Sequence, residues 1–394
     1  MTDKVNVVLL QLGSPKSPAV SDVRAYLKEF LGDPRVVDIN PTLWKIILNL
    51  FVLPFRPKKS AAAYSRIWNG TGFPLVDITE ELRDEVEKNI GTKDLFVRTA
   101  YLLSNPRAHE LVDEWEKMAA DFGPNDEGRW VFIPLFPQFS ESTTMAAIDA
   151  LGKELGSRVN MPCFEFIANH QRAKCFIDHS VRLIEEHLEQ QKSEGKEAQE
   201  LILSFHGLPK RRIIEKEDAY YKHCWETFVL IKNRIKGIDQ KHIHQCFQSR
   251  FGNDEWLTPD TEEYAVELAK SGRKNIAVYC PAFLIDCLET TDEIGNELAE
   301  AVEEAGGHAT QVTCLNADPA WAKSFSEFLH SLAYDSRVDR KNQFYDVEEN
   351  IYESLPEQTY ENPPLSKTAK SSLSIVFLTL FLDLVGFSII FPLF

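Results

Sequence analysis

The sequence predicts an α/β protein built from two doubly wound domains with parallel sheets. Three observations carry this. Strand-like and helix-like runs alternate from the first residues onward. The alternation restarts near residue 170, as if a second unit began there. And 394 residues exceed the usual share of one domain.

The elements follow in order. Residues 5–10, "VNVVLL", form a run apolar at almost every position, as strands buried on both faces are. A helix over 20–31 follows, with Ser21 as its N-cap. Helix 79–89, strand 95–101, helix 108–122, strand 130–135, helix 142–155 and strand 163–167 complete the first series. The second comprises helix 171–194, strand 201–205, helix 220–236, strand 242–248, helix 260–271, strand 276–280, helix 286–305 and strand 310–314. A helix over 319–332 closes it. This places one domain at 1–168 and another at 169–315, with the closing helix of 316–333 expected to pack on the first. Residues 334–371 are polar and aperiodic and read as a linker. Functional groups are expected at the carboxyl ends of the strands, in the cleft between domains.

Composition excludes several classes. A net charge of −17 argues against nucleic-acid binding, which needs a basic footprint. No Gly-x-Gly-x-x-Gly occurs, so dinucleotide binding loses support. The seven cysteines form no Cys-x-x-Cys pair and none lies beyond Cys314, which argues against a disulfide framework and an iron–sulfur cluster. The N-terminus lacks the apolar core and cleavage site of a signal peptide, so a cytoplasmic location is expected.

Two apolar segments stand apart. Residues 372–394, ending "FLDLVGFSIIFPLF", are long enough to span a bilayer, which takes roughly 20 residues. Lys367 and Lys370 favour a cytoplasmic flank. Asp383 lies mid-span, where a carboxylate is costly. The segment reads as a transmembrane anchor to the inner membrane, or as the first helix of a fused transporter, since it resembles the opening helix of major-facilitator efflux pumps. Residues 42–59, "TLWKIILNLFVLPFRPKK", are too short to span. They read either as a buried helix or as an exposed apolar lip meeting lipid or a greasy ligand, with Arg56, Lys58 and Lys59 for anions.

The strand-end loops carry the chemistry. The first domain offers Gln11-Leu12-Gly13-Ser14-Pro15 and a hydroxyl-rich turn at Ser140, Ser142, Thr143 and Thr144. In the second, "LILSFHGLPKRR" leaves His206 where a strand runs out, a position suited to a proton acceptor or metal ligand. Another loop gives Gln248-Ser249-Arg250, with Trp256 beyond it. In "CPAFLIDCLETTDEIGNELAE", Asp286, Glu289, Glu293 and Glu297 share an arc of roughly 80° at about 100° per residue. An acidic stripe of this kind is also what a solvated amphipathic helix shows. Position favours function for Glu289, which follows directly on a buried strand and can face His206. A histidine–carboxylate pair suits Fe2+. His242, His244 and Cys246 alternate along one strand and share a face, a spacing that also fits zinc.

Between residues 5 and 332 the motifs "LLQLGSP", "YLKEFLGDPRVV", "YSRIWNGTGFPL", "IPLFPQFSEST", "LSFHGLPKR", "FQSRFGNDEWLTPDT" and "CPAFLIDCLETTDEI" occur in this order. The chain thereby resembles the ferrochelatases, which insert ferrous iron into porphyrin as the last step of haem synthesis. The resemblance implies two Rossmann-like domains with the active site between them, and protoporphyrin IX and Fe2+ as substrates. It implies no tightly bound cofactor. His206 and Glu289 match the family's iron-binding, catalytic pair. Asp286, Glu293 and Glu297 match an acidic line along a helix with a π-type turn, and count as metal-handling candidates. Leu12, Arg56, Tyr64, Ser140 and Trp256 are the porphyrin-binding candidates, with Arg56 near a position associated with the propionates. Residues 42–55 match an apolar lip at the mouth, which implies contact with a membrane.

The chain departs from the family at four places. Leu102-Leu103 stands for Arg-Tyr, Gly72-Phe73-Pro74 for Gly-Ser-Pro, and Glu217-Asp218-Ala219-Tyr220 for Gly-Asp-Pro-Tyr. Leu12 replaces a tyrosine of coproporphyrin-type relatives, which implies protoporphyrin. Two other readings stand beside this one: a chelatase loading cobalt or nickel, and a non-catalytic porphyrin or haem carrier.

Overall fold

A computed structural model describes residues 4–121, 128–158, 163–251 and 254–360. The chain divides into two compact units, 1–356 and 357–394. The segment 372–394, expected to cross a membrane, lies outside the described residues. Among the described residues no helix is long and apolar enough to cross a membrane.

The larger unit holds two four-stranded parallel sheets. The first comprises β1 (Val5–Gln11), β2 (Leu95–Tyr101), β3 (Arg129–Pro134) and β4 (Cys163–Phe166) in the order β2-β1-β3-β4. The second comprises β5 (Glu200–His206), β6 (Ile243–Gln248), β7 (Asn275–Tyr279) and β8 (His308–Gln311) in the order β6-β5-β7-β8. Each half therefore reverses its direction of winding at its first strand, between β1 and β3 and between β5 and β7. A crevice opens at the carboxyl ends of such strands. In register, Val7 lies between Val97 and Val131, and Leu203 between Gln245 and Tyr279. All seven residues of β1 are buried, which is why its sequence is a continuous apolar run.

The two sheets do not have separate cores. One apolar cluster joins Val7, Leu9 and Ile133 of the first to Leu203, Phe205 and Tyr279 of the second through Phe176, Trp321, Phe325 and Phe328. Helix α1 spans Val20–Phe30, α2 Pro41–Ile47, α3 Leu53–Ile67, α4 Pro74–Asn89, α5 Ala108–Asp121 and α6 Ala146–Gly156. In the second half α7 spans Lys174–Ser193, α8 Lys210–Ile214, α9 Tyr220–Lys232, α10 Thr261–Lys270 and α11 Ala299–Glu304. The closing helix α12, Pro319–Tyr334, packs on α4 of the first half and α7 of the second. It stacks Trp321 on Phe325 with centroids 4.6 Å apart.

Three expectations need correction. Ser21 is not an N-cap: α1 begins at Val20 with Ala19 before it, and Ser17 ties the turn by bonds to Asp22 and the Ala19 N–H. The helix expected over 142–155 does not begin as α-helix, and the one over 286–305 carries the π-type turn that the family resemblance implied. The π-helical turns are Glu141–Met145 and Leu288–Leu298, each at a strand end facing the cleft. The linker expected over 334–371 is a packed strap as far as Pro356. Phe344, Tyr345, Val347, Ile351, Tyr352 and Leu355 reach the main core. Trp225 donates to Ile351 O at 2.8 Å, Tyr221 to Pro356 O at 2.7 Å, and the Tyr352 hydroxyl to Glu226. Its apolar residues sit on short turns, so no helical or strand period marks them.

The strap generates a stability prediction. Trp225→Phe keeps an aromatic side chain but deletes the indole N–H bond and part of the buried ring, and should lower unfolding free energy in urea by about 2–3 kcal/mol. A chain stopped after Asp335 should lose several times more, because it bares Tyr221 and Trp225 and leaves Glu226 without Tyr352. Equal urea midpoints for that chain and the parent would refute the role given to the strap.

Candidate functional site

β5 runs one residue further than its sequence suggested and ends on His206 itself. His206 Nδ1 lies 2.7 Å from Gly207 O. A carbonyl can only accept, so Nδ1 carries a hydrogen, and of the two neutral tautomers this contact selects the one whose lone pair is on Nε2. The backbone around it is fixed. Tyr220 donates to His206 O at 2.9 Å, and the Gly207 N–H donates to Gln248 O at 2.8 Å. Glycine is needed at 207: a Cβ there would sit 2.7 Å from Gln248 O and 3.1 Å from the Trp256 ring.

Glu289 approaches through Gln248. In register Gln248 of β6 pairs with His206 of β5, and its amide donates to Glu289 O at 2.7 Å. The half-buried Glu289 carboxylate faces the first half. Its charge, after burial, helps raise the phenols of Tyr26 and Tyr64 above their ordinary range. Those two rings meet edge to face at 6.1 Å, and Tyr64 meets Phe73 at 5.2 Å. Leu288 joins the same cluster from the second half. Glu289 thus sits beside the aromatic cluster of the first half while its main chain is bound to Gln248, the register partner of His206.

The other acidic positions separate. Asp286 is buried and accepts from Thr290 Oγ1, Gln311 Nε2 and Asn316 Nδ2 at 2.8, 3.0 and 2.7 Å. Its carboxylate is saturated by neutral donors. Glu293 accepts from the Ser249 N–H and hydroxyl at 2.5 and 2.6 Å. Ser249 has a φ of 65°, rare for a residue with a side chain, and in this conformation its N–H meets the carboxylate. Burial pushes Glu293 up to about 7, the charge of Glu289 adds to this, and the Ser249 bonds oppose it. Glu297 is exposed and pairs with Arg66 at 2.9 Å. Arg66 also grips the buried Asp292 with two bonds of 2.5 Å, tying α3 to the π-helical segment.

Of the five expected metal-handling residues, His206 and Glu289 are both anchored at Gln248, whose main chain pairs with His206 and whose amide also reaches Glu293. Asp286 and Glu297 are engaged elsewhere. Among the described residues no group of three or more His, Cys, Asp or Glu side chains is arranged to hold a metal ion. The zinc-like trio is likewise no ligand set, and only two of its members lie on β6, since His242 ends the 3-10 turn Gln240–His242 before the strand. His242 and His244 contact the buried Glu200 at 3.0 and 2.7 Å, and Cys246 is buried in the core.

The porphyrin candidates line up as follows. Leu12 is half-buried, its carbonyl bonded by the Leu103 N–H at 2.9 Å. Beside it Gly13 has a φ of 93°, and a Cβ there would meet Ser104 Oγ at 2.5 Å. Tyr64 is buried in the aromatic wall. Ser140 is buried as the N-cap of the turn 141–145, accepting from the Ser142 N–H. Trp256 packs on Gly207, and its buried indole nitrogen has no hydrogen-bond partner among the described residues. The Arg56 guanidinium lies 4.3 Å from the Phe251 ring centre, and burial lowers its pKa. The lip has one buried and one exposed apolar face. Trp44, Leu48 and Leu53 are buried, whereas Leu50 and Phe55 are 56% and 70% exposed.

Sequence reasoning missed Tyr26, Arg66, Asp292 and the anchoring role of Gln248. Arg66 is two residues from the singled-out Tyr64, but nothing local points it at Asp292. Asp292 lies off the acidic arc, and the residue that engages it, Arg66, is 226 residues away.

The ferrochelatase family model matches residues 4–332. A ferrochelatase of Marinobacter nauticus is 35% identical over 361 residues, covering 90% of this chain and 91% of its own. A coproporphyrin III ferrochelatase of Streptococcus mutans is 36% identical over 331 residues, covering 83% of this chain and 98% of its own. Among solved structures, SirB from Bacillus subtilis with Fe3+ spans 87% of this chain and all of its own, at a TM-score of 0.46 and 12% identity, too distant to support an argument.

Glu293 yields a pH prediction. Its folded-state pKa of about 7 lies above the ordinary 4.5 of an unfolded glutamate. The folded chain therefore binds the extra proton, and this contribution is full below pH 4.5 and lost as pH rises through 7. Glu293→Gln should flatten the fall in stability across that window, and should be more stable than the parent at pH 8. Parallel stability–pH curves for the two proteins would contradict the elevated value.

Proposed function

The chain belongs to the ferrochelatase family, enzymes that insert a metal ion into a porphyrin for haem synthesis, and we propose that it inserts Fe2+ into protoporphyrin IX. The products are protohaem and two protons. The observation that supports this reading is the shared anchorage of His206 and Glu289 at Gln248, which pairs in register with the first and donates to the main-chain oxygen of the second.

The macrocycle lies between the Leu12 loop with the Tyr64 wall and the Gly207–Trp256 surface. Its pyrrole nitrogens have to tip out of plane to release hydrogen and accept the metal. His206 Nε2 holds the lone pair that takes a pyrrole proton or ligates iron. Glu289 faces it as the carboxylate partner. Glu293, with a proton affinity near neutrality, passes protons onward. Saturated by three donors, Asp286 stiffens the turn that carries Glu289. Arg56 serves the propionates, and Ser140 shapes the polar side of the pocket. Iron is a substrate here, so the reaction needs no resident cofactor. The exposed lip face, with 372–394, supports a cytoplasmic enzyme held against the inner membrane.

The Streptococcus mutans relative motivates a competing substrate, coproporphyrin III. Leu12 opposes it, because an apolar side chain leaves the vinyl-bearing macrocycle in apolar surroundings.

Zinc insertion into protoporphyrin, followed by fluorescence, tests the reading. His206→Ala should lower the rate by about 10²–10⁴-fold, the range of a positioned acid–base group, with porphyrin affinity kept within about threefold. Full activity in that variant would falsify the assignment, and a parent that binds porphyrin without inserting metal would be a carrier. On substrate choice, kcat/KM should favour protoporphyrin over coproporphyrin III, and Leu12→Tyr should narrow the ratio. A parent that prefers coproporphyrin III overturns the substrate assignment and leaves the chemistry standing.

A further inference from the structure

We propose that Asp38, clasped by Arg211, Arg212 and Lys216, is a positioning residue that ties the root of the lip to the His206 loop and so sets porphyrin capture; this rests on reading the cleft as a porphyrin site.

Asp38 stands two residues before Asn40, whose side chain accepts from the Thr42 and Leu43 N–H groups at 3.1 Å and starts α2, the first helix of the lip. Trp44 of the lip donates back to Leu31 O at 2.6 Å, closing this loop upon itself. The three cations follow His206 closely in sequence and lie on or just beyond α8. The Asp38 side chain is 6% exposed. It accepts from Arg211, and its oxygens lie 3.5 Å from Arg212 and 2.8 Å from Lys216. The Arg212 side chain is 2% exposed and donates to Arg35 O and Val36 O, both at 2.8 Å, in the same loop as Asp38. Lys216 also reaches Glu141 at 3.1 Å, in the turn after β3.

A charge cluster buried this deeply is costly unless every member is matched. Here cations from the second half meet carboxylates and carbonyls of the first. None of these residues belongs to the pair His206–Glu289 or to the aromatic wall. What they join is specific: the loop leading into the lip, and the segment running from His206 through Gly207. The latter is fixed on its other side by Trp256 and Gln248. The clasp therefore holds an apolar wall at set height beside the catalytic loop. A flat, rigid ligand gains affinity when such a wall is already in place, since ordering it on binding would cost affinity. The metal-facing side chains are held by separate bonds, through Gly207, Tyr220 and Gln248.

The clasp is tested by separating KM from kcat. Asp38→Asn keeps volume and removes the charge, and should raise the KM for porphyrin about tenfold, equivalent to losing roughly one charged hydrogen bond. kcat should stay within about threefold and the KM for zinc should not move. The porphyrin Kd, read from fluorescence quenching without metal, should rise in step. Lys216→Gln, at a half-exposed position, should move the same two quantities in the same direction by a smaller factor, and decides the matter if Asp38→Asn does not fold. A merely structural role would reduce the active fraction, lowering apparent kcat and leaving both porphyrin constants alone. That result, or unchanged porphyrin constants in every folded variant, overturns the proposal. If the parent itself neither binds porphyrin nor inserts zinc, the porphyrin reading fails instead.

Discussion

The cleft depends on the buried amide of Gln248. Its oxygen accepts from Ser204 and from the Cys280 thiol, at 2.8 and 3.4 Å. Its nitrogen donates to Glu289 O and to the Glu293 carboxylate, at 2.7 and 3.4 Å. Its own main-chain oxygen takes the Gly207 N–H. An amide offers two donors and two acceptor positions, and all are in use. One side chain on β6 thus fixes the ends of β5 and β7 and the start of the π-helical segment. A buried polar group satisfied this fully adds rigidity, whereas one left half-satisfied would be a liability. The histidine and the glutamate are held in relation to one another because both are held to the same residue.

The two halves are joined by charge as well as by their shared core. Arg66 crosses to Asp292 and Glu297, and the Asp38 clasp crosses the other way. Leu288 leaves its own half to pack with Tyr26, Tyr64 and Phe73. Such ties suit a site that has to bend a flat macrocycle. Distortion is effective only if the walls yield less than the ligand does, and preorganised contacts keep the reacting atoms in line.

How much of this was legible in the sequence varied with the range of the interaction. The alternation of strands and helices located both sheets, because burial on two faces forces continuous apolar runs such as "VNVVLL" and "LILSF". His206 and Glu289 were found by their strand-end positions and by motif pairing. The strap 341–356 was invisible because its packing residues sit on short turns without a period. The division of the acidic stripe was invisible for a different reason. Asp286 is silenced by Asn316 and Gln311, which lie 30 and 25 residues further along the chain. Arg66 and Asp292 are 226 residues apart. No local pattern encodes which of several similar carboxylates a distant partner will occupy.

That division explains how one stretch of chain can serve several roles. Asp286, Glu289, Glu293 and Glu297 carry the same chemical group, yet their surroundings differ in kind. Asp286 is surrounded by neutral donors, Glu289 faces the cleft and two buried phenols, Glu293 is buried with its pKa pushed up to about 7, and Glu297 meets Arg66 in solvent. Environment separates titrating groups into acids, bases and bystanders. A straight α-helix would have set them in one evenly solvated row. The π-helical pitch, with an extra residue in each hydrogen-bonded turn, together with the anchors at Ser249, Gln248 and Asn316, breaks that equivalence. Glu289 is left half-buried beside the phenols of the first half, and Glu293 as the carboxylate able to exchange a proton near neutrality.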